Sequence, residues 1–359
     1  MKIVNIILTS QNGGAEQVFI DYLTIFKKLG HQVLAITKTD APYAGKVENL
    51  GIEVKKITNK FGYHDFFAVK KIQKIIQEFD ADIVIAHAGR AMVLARKAIK
   101  KIPDIKIHFI AVNHSMNVKR SIGADVIFSV NKEIFYRTVN CGQDETRSFV
   151  IPNAIDLTDM INVSGLVNLQ KNEIITIGGL ARLDRAKGFH FAIKAIKKLE
   201  DLSREKNWNK KFILKIAGSG TEEQNLRNLA KEMGVENNVE FLGWIKTKKE
   251  FFDAIDIFCL SSKSETFGLV LLEAMKFRKP IISTDAHGPK EILRHGFDAL
   301  MVSLEPLQDV ENRIVEAVQR MIDEPDLVNQ MVENASVKLK EKYSYAALEK
   351  VMKEIVGKV

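Results

Sequence analysis

The chain has 359 residues, of which 46% are hydrophobic and 27% charged, and a net charge of +8. That length is more than one ordinary core accommodates and predicts two domains of ordinary soluble, globular composition. No apolar run approaches the roughly 20 residues of a membrane span, and the two cysteines, Cys141 and Cys259, lack metal-ligand spacing and read as reduced thiols.

The opening MKIVNIILTS leads into polar QNGGAEQ without a small-residue cleavage site, so residues 2–8 read as a first strand and not as a signal peptide. A Gly-rich turn follows at Gly13 and Gly14, then an amphipathic helix from about Ala15 to Leu29. Strands are predicted at 32–38, 54–58, 82–87, 106–113, 125–130 and 148–153, with helices between them, which is the spacing of an open, mostly parallel sheet. The polar stretch 157–172 breaks the alternation and reads as a linker. The pattern then restarts with strands at 173–179, 211–218, 239–244, 255–262, 279–285 and 299–303. A last helix is expected at about 344–357. Two Rossmann-like domains in series follow from this, with the ligand expected in a cleft between them, where the Gly-rich turns at the carboxyl ends of the strands collect.

Charge is uneven along the chain. Residues 1–160 hold 22 Lys and Arg against 16 Asp and Glu, a net +6, so an acidic partner is expected on the first half. Nucleic-acid binding would bring a recognisable module or interleaved exposed aromatics. Neither is present, and no nucleic-acid partner is expected.

The segment HDFFAVKKIQKIIQEF (64–79) predicts a helix with Phe67, Ile72, Ile75, Ile76 and Phe79 on much of one surface and Lys70, Lys71 and Lys74 elsewhere. Two readings stand. A core-facing helix with a solvated lysine face is the commoner; a basic amphipathic helix on an anionic membrane is the other. Phe61 and Tyr63, just before it, add some weight to the lipid reading.

His87 and His114 fall at predicted strand ends in the first half. A lone histidine is more often structural, but the shared location raises the odds of a functional role for both. NGGAEQ (12–17) resembles a phosphate-cradling loop but lacks the full G-x-G-x-x-G pattern, so a tight βα turn explains it as well. In IAGSGTEE (216–223), Gly218 and Gly220 close a strand and Thr221 is a candidate N-cap. In GLARLDRAKG, Arg182 and Lys187 lie in a loop between strand and helix and suit a diphosphate, with a solvated basic loop as the equal alternative.

Glu265 and Glu273 stand eight positions apart in SKSETFGLVLLEAM, bracketing a turn and a predicted helix start near Phe267. The free N–H groups of such a helix end bind phosphate. Ionised carboxylates accept hydrogen bonds and therefore suit hydroxyls. Phosphate flanked by hydroxyls describes a nucleotide-sugar.

Taken in order, NGGAE, VIPNAID (150–156), GLARLDRAKG, IAGSG, VEFLGWI, SETFGLVLLEAM and STDAHGPKEIL (283–293) resemble the retaining GT-B glycosyltransferases of family four, also called glycosyl transferases group 1. The resemblance covers nearly the whole chain. It implies an α/β GT-B architecture, two Rossmann-like domains facing across a cleft. The domains would be 1–156 for the acceptor, completed by helix 344–359, and 173–343 for the donor, joined by the 157–172 linker. Arg182 and Lys187 would hold the diphosphate. Glu265 would bond the donor sugar beside the amides of Phe267, Gly268 and Leu269. Glu273 would accept from the ribose, Ile245 would meet the base, Gly14 would approach the phosphate and His114 would sit by the reacting centre.

The resemblance implies no cofactor and no metal. The donor is a nucleoside-diphosphate sugar, and the expected acceptor is a glycolipid or oligosaccharide, such as a lipopolysaccharide core intermediate. The expected location is cytoplasmic, peripheral on the membrane's inner face. Ala154 and Ala299 stand where many family members have Gly, and Tyr343-Ser344-Tyr345 replaces the usual Phe-Ser-Trp. Two alternatives remain: a nucleotide-sugar epimerase on the same frame, which would act without an acceptor, and a basic nucleic-acid-binding protein without affinity for nucleotide-sugars.

Overall fold

A computed structural model describes residues 1–11, 13–103, 106–160 and 167–357. Two compact units divide the chain, one of residues 1–155 with 342–359 and the other of residues 156–341.

The first unit runs β1 (Lys2–Ile7), α1 (Gly14–Lys28), β2 (Gln32–Lys38), α2 (Ala44–Asn49), β3 (Glu53–Ile57), α3 (Phe66–Phe79), β4 (Ile83–His87), α4 (Ala88–Ile99), β5 (His108–Asn113), β6 (Val126–Ser129), α5 (Lys132–Asn140) and β7 (Ser148–Val150). All its strand pairings are parallel, in the order β3-β2-β1-β4-β5-β6-β7. A parallel sheet is covered on both faces, which is why its central strands β1, β4 and β5 are largely buried apolar runs, whereas the edge strand β3 (EVKKI) is mostly exposed. Ile3, Val4, Ile6 and Ile7 of β1 and Val84, Ile85 and Ala86 of β4 are fully buried. One core cluster packs β-strand residues against Ile72 and Ile76 of α3 and Leu94 of α4; a second gathers around Phe19, Leu23 and Tyr43.

The second unit runs β8 (Ile174–Leu180), α6 (Phe189–Glu205), β9 (Lys211–Ala217), α7 (Glu223–Glu232), β10 (Val239–Gly243), α8 (Lys248–Asp253), β11 (Ile257–Leu260), α9 (Leu269–Lys276), β12 (Ile281–Thr284), α10 (His287–Ile292), β13 (Leu300–Val302), α11 (Val310–Asp323) and α12 (Pro325–Lys342). Its parallel sheet is ordered β10-β9-β8-β11-β12-β13. The final helix, α13 (Tyr345–Val356), belongs to the first unit and packs on α1. Tyr345 donates its hydroxyl to Asp21 at 2.5 Å, and Ile155 N–H donates to the Tyr343 carbonyl at 2.8 Å.

Both sheets share one property that locates a site. In each, the strand order reverses direction beside the unit's first strand, between β1 and β4 and between β8 and β11. Loops leaving the carboxyl ends of those two strands diverge and leave a crevice where ligands bind.

Four local expectations are corrected. Phe67 is 74% exposed; the buried face of α3 is Ala68, Val69, Ile72, Ile75 and Ile76. Asp65 caps α3, so Phe66 and Phe67 fall in its first turn, before the apolar stripe turns inward. The N-cap of α7 is Glu222, not Thr221. The helix expected near Phe267 starts at Leu269, after Gly268 turns the chain at φ 97°. Leu169, near the end of the 157–172 segment, is buried in the second unit's core, so apolar packing places it in that unit. Asn12, part of that segment (161–166) and the last two residues of the 344–359 helix lie outside the described residues.

Candidate active site

In the first unit the β1–α1 turn is built around Glu16, whose side chain is almost wholly buried. Its carboxylate accepts from the Gly13 N–H at 3.0 Å and from the Thr9 hydroxyl at 2.6 Å. Glu16 therefore ties down the turn that ends in Gly14, the first residue of α1. A carboxylate in the third helical position bonding back to the cap N–H is the returning half of a capping box.

His87 ends β4 across the switch point, and His114 follows β5. Their rings stack with centroids 5.2 Å apart, and Nδ1 of His87 lies 2.9 Å from Nε2 of His114. Phe19 and Tyr22 of α1 meet the His87 ring edge-on. Burial holds His87 well below the usual histidine range, with the neighbouring His114 adding to the effect, and burial pushes His114 down to about 4. Both imidazoles are neutral near pH 7. One proton therefore bridges the pair, and the other ring nitrogen of His87, Nε2, is buried without a hydrogen-bond partner. A buried N–H without an acceptor is rarer than a buried lone pair without a donor. We therefore assign the Nδ1–H tautomer to His87, donating to Nε2 of His114. His114 then carries its own proton on Nδ1 as a neutral donor. The next residue, Ala88, is held at φ 65°, a left-handed conformation costly for a residue with a side chain.

In the second unit three loops at the carboxyl edge are sewn together through backbone. The first, after β8, carries Arg182 and Lys187. The IAGSG turn lies against it so closely that a Cβ on Gly218 would sit 1.9 Å from the Ala181 carbonyl, and one on Gly220 would sit 2.3 Å from that of Leu183. Only glycine permits that approach. Asp184 caps the turn Arg185–Lys187 by accepting from the Ala186 N–H, and it lies 3.6 Å from the Arg182 guanidinium.

The second loop follows β11 and carries Glu265. Lys263 N–H donates to the Ala186 carbonyl at 2.7 Å, and a Cβ on Gly188 would meet the Ser261 carbonyl at 2.0 Å. That join sets Lys187 Nζ 2.7 Å from Glu265 Oε2, with both side chains about 15% exposed. The third loop opens α10. Gly288 N–H donates to the Glu265 carbonyl at 2.9 Å, and a Cβ on Gly288 would come within 2.6 Å of Phe267 N. Phe267 is buried, and Gly268 at the head of α9 offers no side-chain cap, so backbone N–H groups face the start of the helix.

Glu273 lies one turn into α9 and pairs with Lys248, the first residue of α8. Burial pushes its carboxyl above the usual range, while Lys248 and then Lys276 pull it back. The same pair brings α8, and the β10–α8 loop with half-buried Ile245, to the side of α9.

The family model described as Glycosyltransferase Family 4 matches residues 12–159, and the one described as Glycosyl transferases group 1 matches residues 164–338. The chain belongs to the glycosyltransferases. A relative named as an uncharacterized glycosyltransferase of Haemophilus influenzae is 26% identical over 96% of both chains. The lipopolysaccharide core biosynthesis glycosyltransferase LpsD of Rhizobium meliloti is 25% identical over 97% of this chain and 96% of its own. Among solved structures, Anabaena HepE in complex with UDP and glucose matches over 100% of both chains, with a TM-score of 0.83 at 19% identity. The fold is therefore that of the GT-B glycosyltransferases.

Within this glycosyltransferase, Gly14 and His114 belong to the first unit and the other expected site residues to the second. The structure joins Lys187 to Glu265 and places Phe267, Gly268 and Leu269 directly after them. Arg182 pairs with Asp184 and is largely open to solvent. Sequence reading missed two residues, Glu16 and Lys248, and one contact. Glu16 stood in the NGGAE string, where an acid three residues past a candidate cap is a readable signal. The buried contact between His87 and His114 links two strand ends 27 residues apart. Lys248 reaches Glu273 across 25 residues, and no local pattern marks such a pair.

Proposed function

We propose that this glycosyltransferase takes a sugar from a nucleoside-diphosphate donor and passes it, with retention of anomeric configuration, to a hydroxyl of a glycolipid acceptor of the lipopolysaccharide-core type. The observation that carries the donor assignment is the Lys187–Glu265 ion pair beside the uncapped start of α9. It sets one cation, one hydroxyl-seeking carboxylate and a row of backbone N–H groups at the edge of one crevice. The UDP and glucose of the HepE structure and the printed role of LpsD agree with that chemistry.

Breaking the bond between the anomeric carbon and the diphosphate sends its electron pair to the phosphate oxygen. Lys187, Arg182 and the amides of Phe267, Gly268 and Leu269 stabilise the charge that builds there. Glu265 holds the sugar's hydroxyls, Glu273 those of the ribose, and Ile245 borders the base through its backbone. The β1–α1 turn lets Gly14 approach phosphate without a side chain in the way. His114, kept neutral by burial, donates from Nδ1 to the sugar rather than presenting a second cation. In front-face attack the acceptor oxygen bonds to the anomeric carbon on the side the diphosphate leaves, and its proton passes to the leaving phosphate oxygen. No side chain is assigned as general base, and neither metal nor cofactor is assigned a part.

Incubation with a panel of nucleotide-sugars and a lipopolysaccharide-core acceptor tests this. Acceptor-dependent release of nucleoside diphosphate is expected, and NMR of the product should show the donor's anomeric configuration. An inverted product contradicts retention; donor conversion without acceptor contradicts transfer.

A further inference from the structure

The loop between β3 and α3 and the first turn of α3 expose three phenylalanines to water: Phe61, Phe66 and Phe67 are 64%, 58% and 74% exposed. Single exposed apolar side chains need no explanation, but three large ones within seven residues do. The loop is not slack. Asp65, itself buried, accepts from the N–H groups of Lys60, Phe61 and Ala68 and from the Asn59 amide, which fixes the loop backbone from which the rings project. Phe66 and Phe67 meet edge to face, centroids 6.1 Å apart.

The rim around these rings is basic. Lys101 Nζ lies 4.5 Å over the Phe66 ring, Lys97 Nζ donates to the Tyr63 carbonyl, and exposed Lys60 and Lys100 stand beside them. A pocket of about 330 Å³ between Phe66 and the end of α4 is lined by Lys97, Lys100 and Lys101. Among the described residues Asp65 is the one acid in that lining, and its oxygens are occupied by the loop's own donors.

We propose that this Phe61/Phe66/Phe67 rim with its lysines docks the protein on an anionic phospholipid bilayer. The rings enter the interface while the ammonium groups meet lipid phosphates. Charge complementarity selects that occupant: an apolar partner would leave four ammonium groups desolvated, and an acidic protein would leave three rings in water. Aromatic rings between lysines match the composition of segments that lie in the membrane interface. The loop leaves the same carboxyl edge of the sheet on which His87 ends β4. Docking there brings the first unit's crevice towards the lipid surface, as a lipid-anchored acceptor requires. The buried stripe of α3 takes no part, since it is spent on the core.

Co-sedimentation of the full chain with mixed phosphatidylglycerol–phosphatidylcholine vesicles, without nucleotide, tests the surface apart from the transfer chemistry. Wild-type binding is expected on these vesicles, weak on pure phosphatidylcholine, and falling steeply with salt. The triple variant Phe61→Ser/Phe66→Ser/Phe67→Ser should keep its melting temperature and lose at least about tenfold in vesicle affinity. Lys97→Glu/Lys101→Glu should lose at least about tenfold, from roughly fivefold per removed lysine. Wild-type-like binding by the triple variant overturns the proposal. So does a wild type that ignores anionic vesicles, or one that dimerises through these rings instead.

Discussion

Lys187 and Glu265, 78 residues apart in the chain, meet at 2.7 Å because a left-handed glycine at 188 lets one loop pass under the carbonyl of Ser261 on the other. Both side chains are mostly buried, and each is proposed to give up that contact to a different part of the donor. The ammonium turns to diphosphate and the carboxylate to sugar. Removing one partner of such a pair leaves an uncompensated charge, which costs more than the pair contributes.

Lys187→Ala should lower the transfer rate by about two orders of magnitude and weaken donor binding, as loss of one electrostatic stabiliser of a leaving group does. Lys187→Arg should recover part of the binding, because its fork still meets phosphate. Steady-state kinetics with varied donor check this. Unchanged rate and affinity in the alanine variant would remove Lys187 from the phosphate clamp.

Lys248→Met should make donor affinity more sensitive to acid. Burial raises the Glu273 carboxyl and Lys248 opposes that rise, so its removal moves protonation of Glu273 to higher pH. A neutral acid loses acceptor capacity for the ribose. KM for the donor, measured across mildly acidic to neutral pH, should begin to climb at higher pH in the variant than in the wild type, with kcat changing less.

The histidine pair predicts an acid-side loss of stability. His87 and His114 are held below the unfolded histidine value of about 6.5, and His114 titrates at about 4. Between those values the unfolded chain binds protons that the folded chain refuses, so stability is full above about 6.5 and falls with pH towards 4. Each histidine contributes a slope of up to about 1.4 kcal/mol per pH unit. Urea midpoints against pH should show this, and His114→Gln should flatten the dependence.

Gly188→Ala should destabilise the protein by about 3 kcal/mol or more, since its Cβ would overlap the Ser261 carbonyl at 2.0 Å in a left-handed conformation. Gly234→Ala shares the positive φ but meets nothing within 4 Å, so only the conformational cost of about 1 kcal/mol applies. Thermal melts of the two variants separate close approach from backbone conformation.

Much of this architecture was legible. Buried parallel strands announce themselves as β-branched apolar runs such as KIVNII and DIVIAH, and the central strands β1, β4 and β5 fall on such runs, whereas the edge strand β3 (EVKKI) is largely exposed. The turn and helix that Glu265 and Glu273 bracket were readable because both lie within one short stretch of sequence. Other features were not, for physical reasons. Phe67 has the composition of a core position, but the N-cap at Asp65 places it in the first turn, outside the buried stripe. Lys248–Glu273 and His87–His114 are contacts made by the sheet's crossovers, and local periodicity carries no information about which loops meet.

Calorimetric titration separates the proposed roles of the two glutamates, Glu265 for the sugar and Glu273 for the ribose. Nucleoside diphosphate and the matching nucleotide-sugar are each titrated into wild type, Glu265→Gln and Glu273→Gln. Glu273→Gln should weaken both ligands by a similar factor, of about tenfold. Glu265→Gln, which releases Lys187 to phosphate, should bind the diphosphate no more weakly than wild type while losing the affinity the sugar adds. Equal weakening of the bare diphosphate and the nucleotide-sugar by Glu265→Gln, or an effect of Glu273→Gln on the sugar alone, would contradict that division.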